Sequence, residues 1–126
     1  NRTGGFDMKD IEVLKKNGID VGRSLELLGD LDTYDEMLES FLEESEVRLP
    51  RMKEAKEKAD LANYAIDAHA MKSDSRYLGF TKLAELSYNH EIAGKENHID
   101  FIEGHYDELM KEVQRMIEVI RQYLGK

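Results

Sequence analysis

The sequence predicts an all-α fold: an antiparallel up-down-up-down four-helix bundle with two short N-terminal helices packed at one end. Three observations carry this reading. Apolar residues recur at helical spacing through most of the chain, a single proline interrupts its 126 residues, and runs of β-branched residues are few. The first short helix is expected from about Met8 to Lys16, opened by Asp7 and closed by Asn17-Gly18, a pair suited to a left-handed stop. A second runs from about Val21 to Leu28, with Leu25, Leu27 and Leu28 available to lid the bundle and Gly29 ending it. The third helix is expected after Asp32, with Asp32 and Asp35 placing negative charge at its positive end. Tyr34, Met37, Leu38, Phe41 and Leu42 form its apolar stripe. Pro50 lacks a backbone N–H and crowds the preceding turn, which predicts a kink or a break near Leu49. The charged segment from Arg51 to Lys58 reads as solvated.

The fourth helix covers Asp60 to Leu78. Leu61, Tyr64, Ala65, Ala68, Met71, Ser75 and Leu78 are its inward positions, and Gly79 suits its C-terminal turn. Next comes a helix from about Phe80 to Lys95 that turns Leu83, Ala84, Leu86, Ser87 and His90 inward. The last helix is capped by Asn97, and Ile102, Tyr106, Leu109, Val113, Met116, Ile117, Ile120 and Leu124 form its stripe. Residues 1–6, polar and glycine-containing without an initiator methionine, read as a linker or tag remnant, leaving residues 7–126 as one bundle domain. Such a bundle can bury its own stripes, so a monomer is expected.

Composition narrows the chemistry. With no cysteine, disulfides, thiolate metal sites and thiol catalysis are excluded. A formal net charge of −9 opposes a sequence-independent grip on nucleic acid, which requires cations to displace counterions. No segment approaches the ~18 apolar residues of a membrane span, and a cytoplasmic location is the expectation. A di-metal bundle site would place Glu three residues before His, but Ile66, Ser87, Lys95 and Ile102 precede the four histidines at that distance. No bound metal or cofactor is expected; His90 is assigned to packing, His98 and His105 to the surface.

One helix face stands out. At about 100° per residue, Ala62, Ala65, Ile66, Lys72, Ser73 and Arg76 all lie within about 60° of His69, and none is acidic. The inward set of the same helix is centred about 100° away, so His69 belongs to the flank. An exposed histidine with two cations and only small or apolar neighbours on its helix is suited to receive a dianionic phosphoryl group.

His69-Ala70-Met71-Lys72-Ser73, continued by Ser75 and Leu78-Gly79, resembles the phosphorylation motif of histidine-containing phosphotransfer (HPt) domains. The likeness extends to Gly18-Ile19-Asp20, Leu27-Leu28-Gly29-Asp30, Tyr34 to Phe41, and Leu83-Ala84-Glu85-Leu86-Ser87 closing with His90-Glu91. It covers most of the chain from about residue 17. Many family members carry glycine at the position of Ser73 and leucine at those of Met71 and His90; none of these departures removes a chemical requirement.

The resemblance implies a phosphorelay carrier in two-component signalling, with no complete catalytic site of its own. A receiver-domain aspartyl phosphate donates to His69, and His69 passes the group to another receiver. Lys72 then supports the phosphate electrostatically, Ser73 keeps access open or donates a hydrogen bond, and Arg76 is a further phosphate support. Ala62 and Ile66 offer an apolar docking contact. The receivers supply the aspartate and Mg²⁺, and the parent protein is either a hybrid sensor histidine kinase carrying this module or a free-standing relay protein. A kinase dimerisation hairpin fits less well, since an acidic residue typically follows its histidine and Ala70 stands here. The alternative from another class is an HPt-like scaffold that carries no phosphate.

Overall fold

A computed structural model describes residues 9–126, and all regular structure among them is helical: α1 (Ile11–Lys15), α2 (Val21–Leu28), α3 (Leu31–Glu57), α4 (Leu61–Leu78), α5 (Thr81–Lys95) and α6 (Ile99–Leu124). The last four are long and joined by connections of only two or three residues. α4 packs chiefly on α5 and also on α3, α6 covers α5 and α3, α1 lies on α6, and α2 wedges between α3 and α4.

The helix starts follow local capping chemistry, and several differ from expectation. Asp10 caps α1 by accepting from the Glu12 N–H; the expected opening at Asp7 and Met8, like the linker reading of residues 1–6, lies outside the described residues. α3 is capped by Asp30, which accepts from Thr33 N–H at 2.7 Å. Because α2 stops at Gly29 with a positive φ of 94°, the chain is already extended at Asp30, and Asp32 falls inside the first turn. Asp35 is buried and accepts the Tyr123 hydroxyl at 2.7 Å. Asn97 occupies the left-handed region at φ 60°, so His98, without a side-chain capping bond, takes the cap position of α6.

Pro50 does not break α3, which runs unbroken through it. Buried residues on both sides of the proline, Phe41, Ser45, Arg48, Met52 and Ala55, hold the helix against its neighbours. Tertiary packing outweighs the lost backbone bond. The segment after Pro50 is correspondingly less solvated than its charge implies: Met52 and Ala55 are buried, Arg51 grips Asp67 of α4 through two bonds of 2.9 and 2.8 Å, and Lys56 lies over the Tyr106 ring.

Every expected inward position of α4 is buried. On α2 the buried residues are Val21 and Ser24, Leu25 and Leu28 pack partly against the core, and Leu27 is exposed, so the leucine lid is incomplete. On α6 the expected stripe is buried except Tyr106 and Leu124, which are half-buried; Val119 and Tyr123 join it because the stripe is wider than a single row of positions.

Two glycines set the packing around α4. At Gly79, φ is 82°, and a Cβ would stand 2.5 Å from the Asp20 carbonyl oxygen. The α4–α5 turn thus lies directly on the start of α2, and Asp20 N–H donates to Gly79 O at 2.9 Å. At Gly94 a Cβ would meet Ala65 Cβ at 2.9 Å and Leu61 O at 3.1 Å, so α5 approaches α4 more closely than any side chain permits.

Candidate functional site

The α4–α5 seam carries the site. His69 lies on the flank of α4 as its register requires, with its side chain 57% exposed. Apart from the cations Lys72 and Arg76 its neighbours on that helix face are small or apolar, but a carboxylate reaches it from the neighbouring helix. Glu91 of α5, its side chain 2% exposed, places Oε2 2.7 Å from His69 Nδ1. The helix face itself carries no acidic residue, as read from the sequence; the carboxylate comes from α5, which a wheel of one helix omits.

Glu91 is a hub. Its Oε1 stands 2.7 Å from Lys72 Nζ, and its Oε2 also lies 2.7 Å from Lys95 Nζ. Burial would raise its pKa; hydrogen bonds from Lys72, Lys95 and His69 override that and hold it down at about 2. It is thus an anion at all ordinary pH values. An ionised carboxylate can only accept, so His69 presents Nδ1–H to Glu91 and keeps its free lone pair on Nε2, which has no partner among the described residues. This is the arrangement of an oriented imidazole nucleophile: a buried anion fixes the tautomer and stabilises positive charge that develops on the ring.

Lys72 is largely buried, its charge met by Glu91 and its ammonium 5.4 Å from the centre of the Tyr88 ring. Arg76 flanks the same ring at 5.9 Å, and Ser73 is half-buried on α4. Ala62 and Ile66 lie beside His69, lining with it, Gly94 and Lys95 a groove of about 620 Å³; Ile66 is 64% exposed. The structure thus gathers His69, Lys72, Ala62 and Ile66 along the seam, while Arg76 lies one step farther along it, toward α2.

Two residues escaped the sequence reading. Glu91 and Lys95 are four apart on α5, one turn's pairing distance, and Glu91 follows Ala84 by seven and Ser87 by four, which puts a carboxylate on the buried face. That combination is the signal that could have found them.

His90, next in the chain to Glu91, faces a different environment. Tyr64 OH donates to its Nδ1 at 2.9 Å, and its Nε2–H donates to the His105 carbonyl at 3.1 Å. Burial pushes its pKa down to about 4, keeping it neutral. His98 and His105 are exposed, as expected.

The family model described as Hpt domain matches residues 36–123. Among curated proteins, the phosphorelay intermediate protein rdeA of Dictyostelium discoideum is 26% identical over 95 residues, which cover 75% of this chain and 37% of that protein. The chain thus spans little more than a third of that relative's length. No solved structure gives a significant match. The matched span contains His69, the buried carboxylate behind it and the helices that bring them together, and over it the chain belongs to the Hpt domain family.

Proposed function

We propose that this domain is a phosphorelay carrier: His69 accepts a phosphoryl group from a receiver-domain aspartyl phosphate and delivers it to another receiver. The observation that carries the reading is the bond from His69 Nδ1 to the buried, ionised Glu91, which leaves Nε2 as the exposed nucleophile. Membership of the Hpt domain family and the likeness to a phosphorelay intermediate support it. In the forward step the Nε2 lone pair forms the N–P bond as the P–O bond to the donor aspartate breaks, and the electron pair leaves with that carboxylate. The ring becomes cationic, and Glu91 stabilises it through Nδ1–H. The reverse step, toward a second receiver's aspartate, returns the ring to neutrality.

Lys72, already on the seam, is the first cation available to the arriving phosphate, Lys95 the second, and Arg76 a longer-range support. Ser73 is small enough to leave access open. Ala62 and Ile66 provide the apolar contact for the receiver, which brings the Mg²⁺ needed to neutralise charge spreading over the transferring oxygens. The domain itself turns nothing over. The short connections between the four long helices support the up-down-up-down bundle, residues 7–126 form the functional unit, and a cytoplasmic monomer suits such a carrier. Among the described residues no helix is long and apolar enough to cross a membrane.

The test is phosphate incorporation from phosphorylated receivers with Mg²⁺, with phosphoramidate as a partner-free donor. Acid-labile, alkali-stable label is expected on the native chain and absent from His69→Gln. A folded native chain that takes label from neither source would overturn the relay reading and leave the scaffold reading in its place.

A further inference from the structure

On the side of α4 and α5 nearest α2 lies a second cavity of about 300 Å³, reached by neither His69 nor Glu91. Four features converge on it. Arg23 of α2 and Arg76 of α4 both line it, and among the described residues they are the two arginines with no carboxylate within 4.0 Å; Arg48, Arg51, Arg115 and Arg121 are all paired. In a chain of net charge −9, two guanidinium groups left unpaired around one cavity are a departure from the pattern elsewhere. The start of α5 also borders the cavity through Thr81, and this helix start has no side-chain cap, since Phe80 occupies the cap position. Thr81 N–H donates to Gly79 O at 3.0 Å, whereas the Lys82 and Leu83 N–H groups have no acceptor among the described residues and are open to an anion. Finally, Ser75 forms part of the wall, is fully buried, and its hydroxyl has no hydrogen-bond partner.

Two carboxylates share the lining. Asp20 is committed to α2, accepting from the Arg23 N–H at 3.2 Å, and Glu85 is exposed to solvent. Tyr88 closes the side toward Lys72, its ring flanked by Lys72 and Arg76.

We propose that this cavity is a binding site for a small phosphate-class oxyanion, separate from the phosphoacceptor histidine. A tetrahedral oxyanion uses what the cavity offers: planar donors from two arginines, backbone N–H groups at a helix start, and a buried hydroxyl in need of an acceptor. Chloride takes the charge on a single acceptor centre, whereas a phosphate spreads its acceptors over several oxygens that can meet separate donors, so the site discriminates by geometry.

The experiment is an NMR titration of the intact domain with inorganic phosphate, with sodium chloride at matched ionic strength as control, following the Thr81, Lys82 and Leu83 amides and the arginine Nε–H signals. A saturable shift with phosphate and none with chloride is expected. It persists in His69→Gln, weakens about tenfold or more in Arg23→Gln/Arg76→Gln, and weakens less in Ser75→Ala. Retention of the native amide dispersion in each variant separates loss of binding from loss of fold. Shifts that chloride reproduces, that survive the double arginine variant, or that vanish in His69→Gln would each overturn the proposal.

Discussion

His90 and Glu91 are consecutive residues of α5, both about 1% exposed, and they resolve the burial of an ionisable group in opposite ways. His90 meets a tyrosine hydroxyl and a backbone carbonyl, both neutral, and burial keeps it uncharged. Glu91 meets two ammonium groups and an imidazole N–H, and stays charged. A helix turns about 100° between neighbours, so one residue addresses α6 and the interior while the next addresses the seam with α4. The lesson is that burial alone does not decide ionisation; the charge of the partners does. Only the charged solution reaches the surface, through His69.

Removing the carboxylate is the sharpest way to break this comparison. Glu91→Ala leaves Lys72 largely buried without its counter-charge, and a loss of about 3 kcal/mol in urea unfolding is expected, together with loss of phosphate uptake by His69. Glu91→Gln keeps the shape and an acceptor for Nδ1–H while removing the charge; a smaller stability loss and a clear fall in the rate of phosphotransfer should follow.

Acid titration separates the two residues without any mutation. His90 has a folded pKa of about 4 against about 6.5 unfolded, so its contribution is fully present above pH 6.5 and is lost as pH falls toward 4. Glu91, at about 2 against 4.5, contributes fully above pH 4.5 and loses that contribution only between 4.5 and 2. Each window is worth on the order of 3 kcal/mol. Denaturant midpoints measured from pH 8 to 2.5 should fall in two stages, His90→Leu flattening the first and Glu91→Gln the second.

At pH 7, His90→Leu relieves desolvation of the ring but strands the Tyr64 hydroxyl and the His105 carbonyl, and a net loss of about 1–2 kcal/mol is expected, with phosphate uptake retained. The smallest effect belongs to Lys95→Met. Its side chain is 59% exposed, so stability should change by less than about 1 kcal/mol, while transfer from a receiver slows severalfold. Unchanged transfer would remove Lys95 from the phosphate-binding set.

The same two residues show how far the sequence carries. The register of α4 is plain in its 3.6-residue period, and it correctly put His69 on a flank and Leu61, Tyr64, Met71 and Leu78 inside. His90 was legible as inward for the same reason. Glu91 was not, because its partners Lys72 and His69 come from another helix, and the pairing of two helices is a tertiary fact that one helix's wheel does not contain. The caps failed more locally. Asp30 and Asp32 are chemically equivalent candidates two residues apart, and the choice between them was made by where Gly29 let α2 stop. At Pro50, a local rule lost to the packing on either side of it.

Gly94 gives the seam a property that no charged group supplies. The spacing of α4 and α5 is set there by an atom that is not present, since a Cβ would already overlap Ala65. The distance between the His69 imidazole and the Glu91 carboxylate is therefore gauged by a hard stop three residues from Glu91. Alanine or valine at this position would act as shims of graded thickness, moving the imidazole and its anion apart while leaving every reacting group chemically intact. A graded series of such shims would convert a distance of tenths of an ångström into a readable rate.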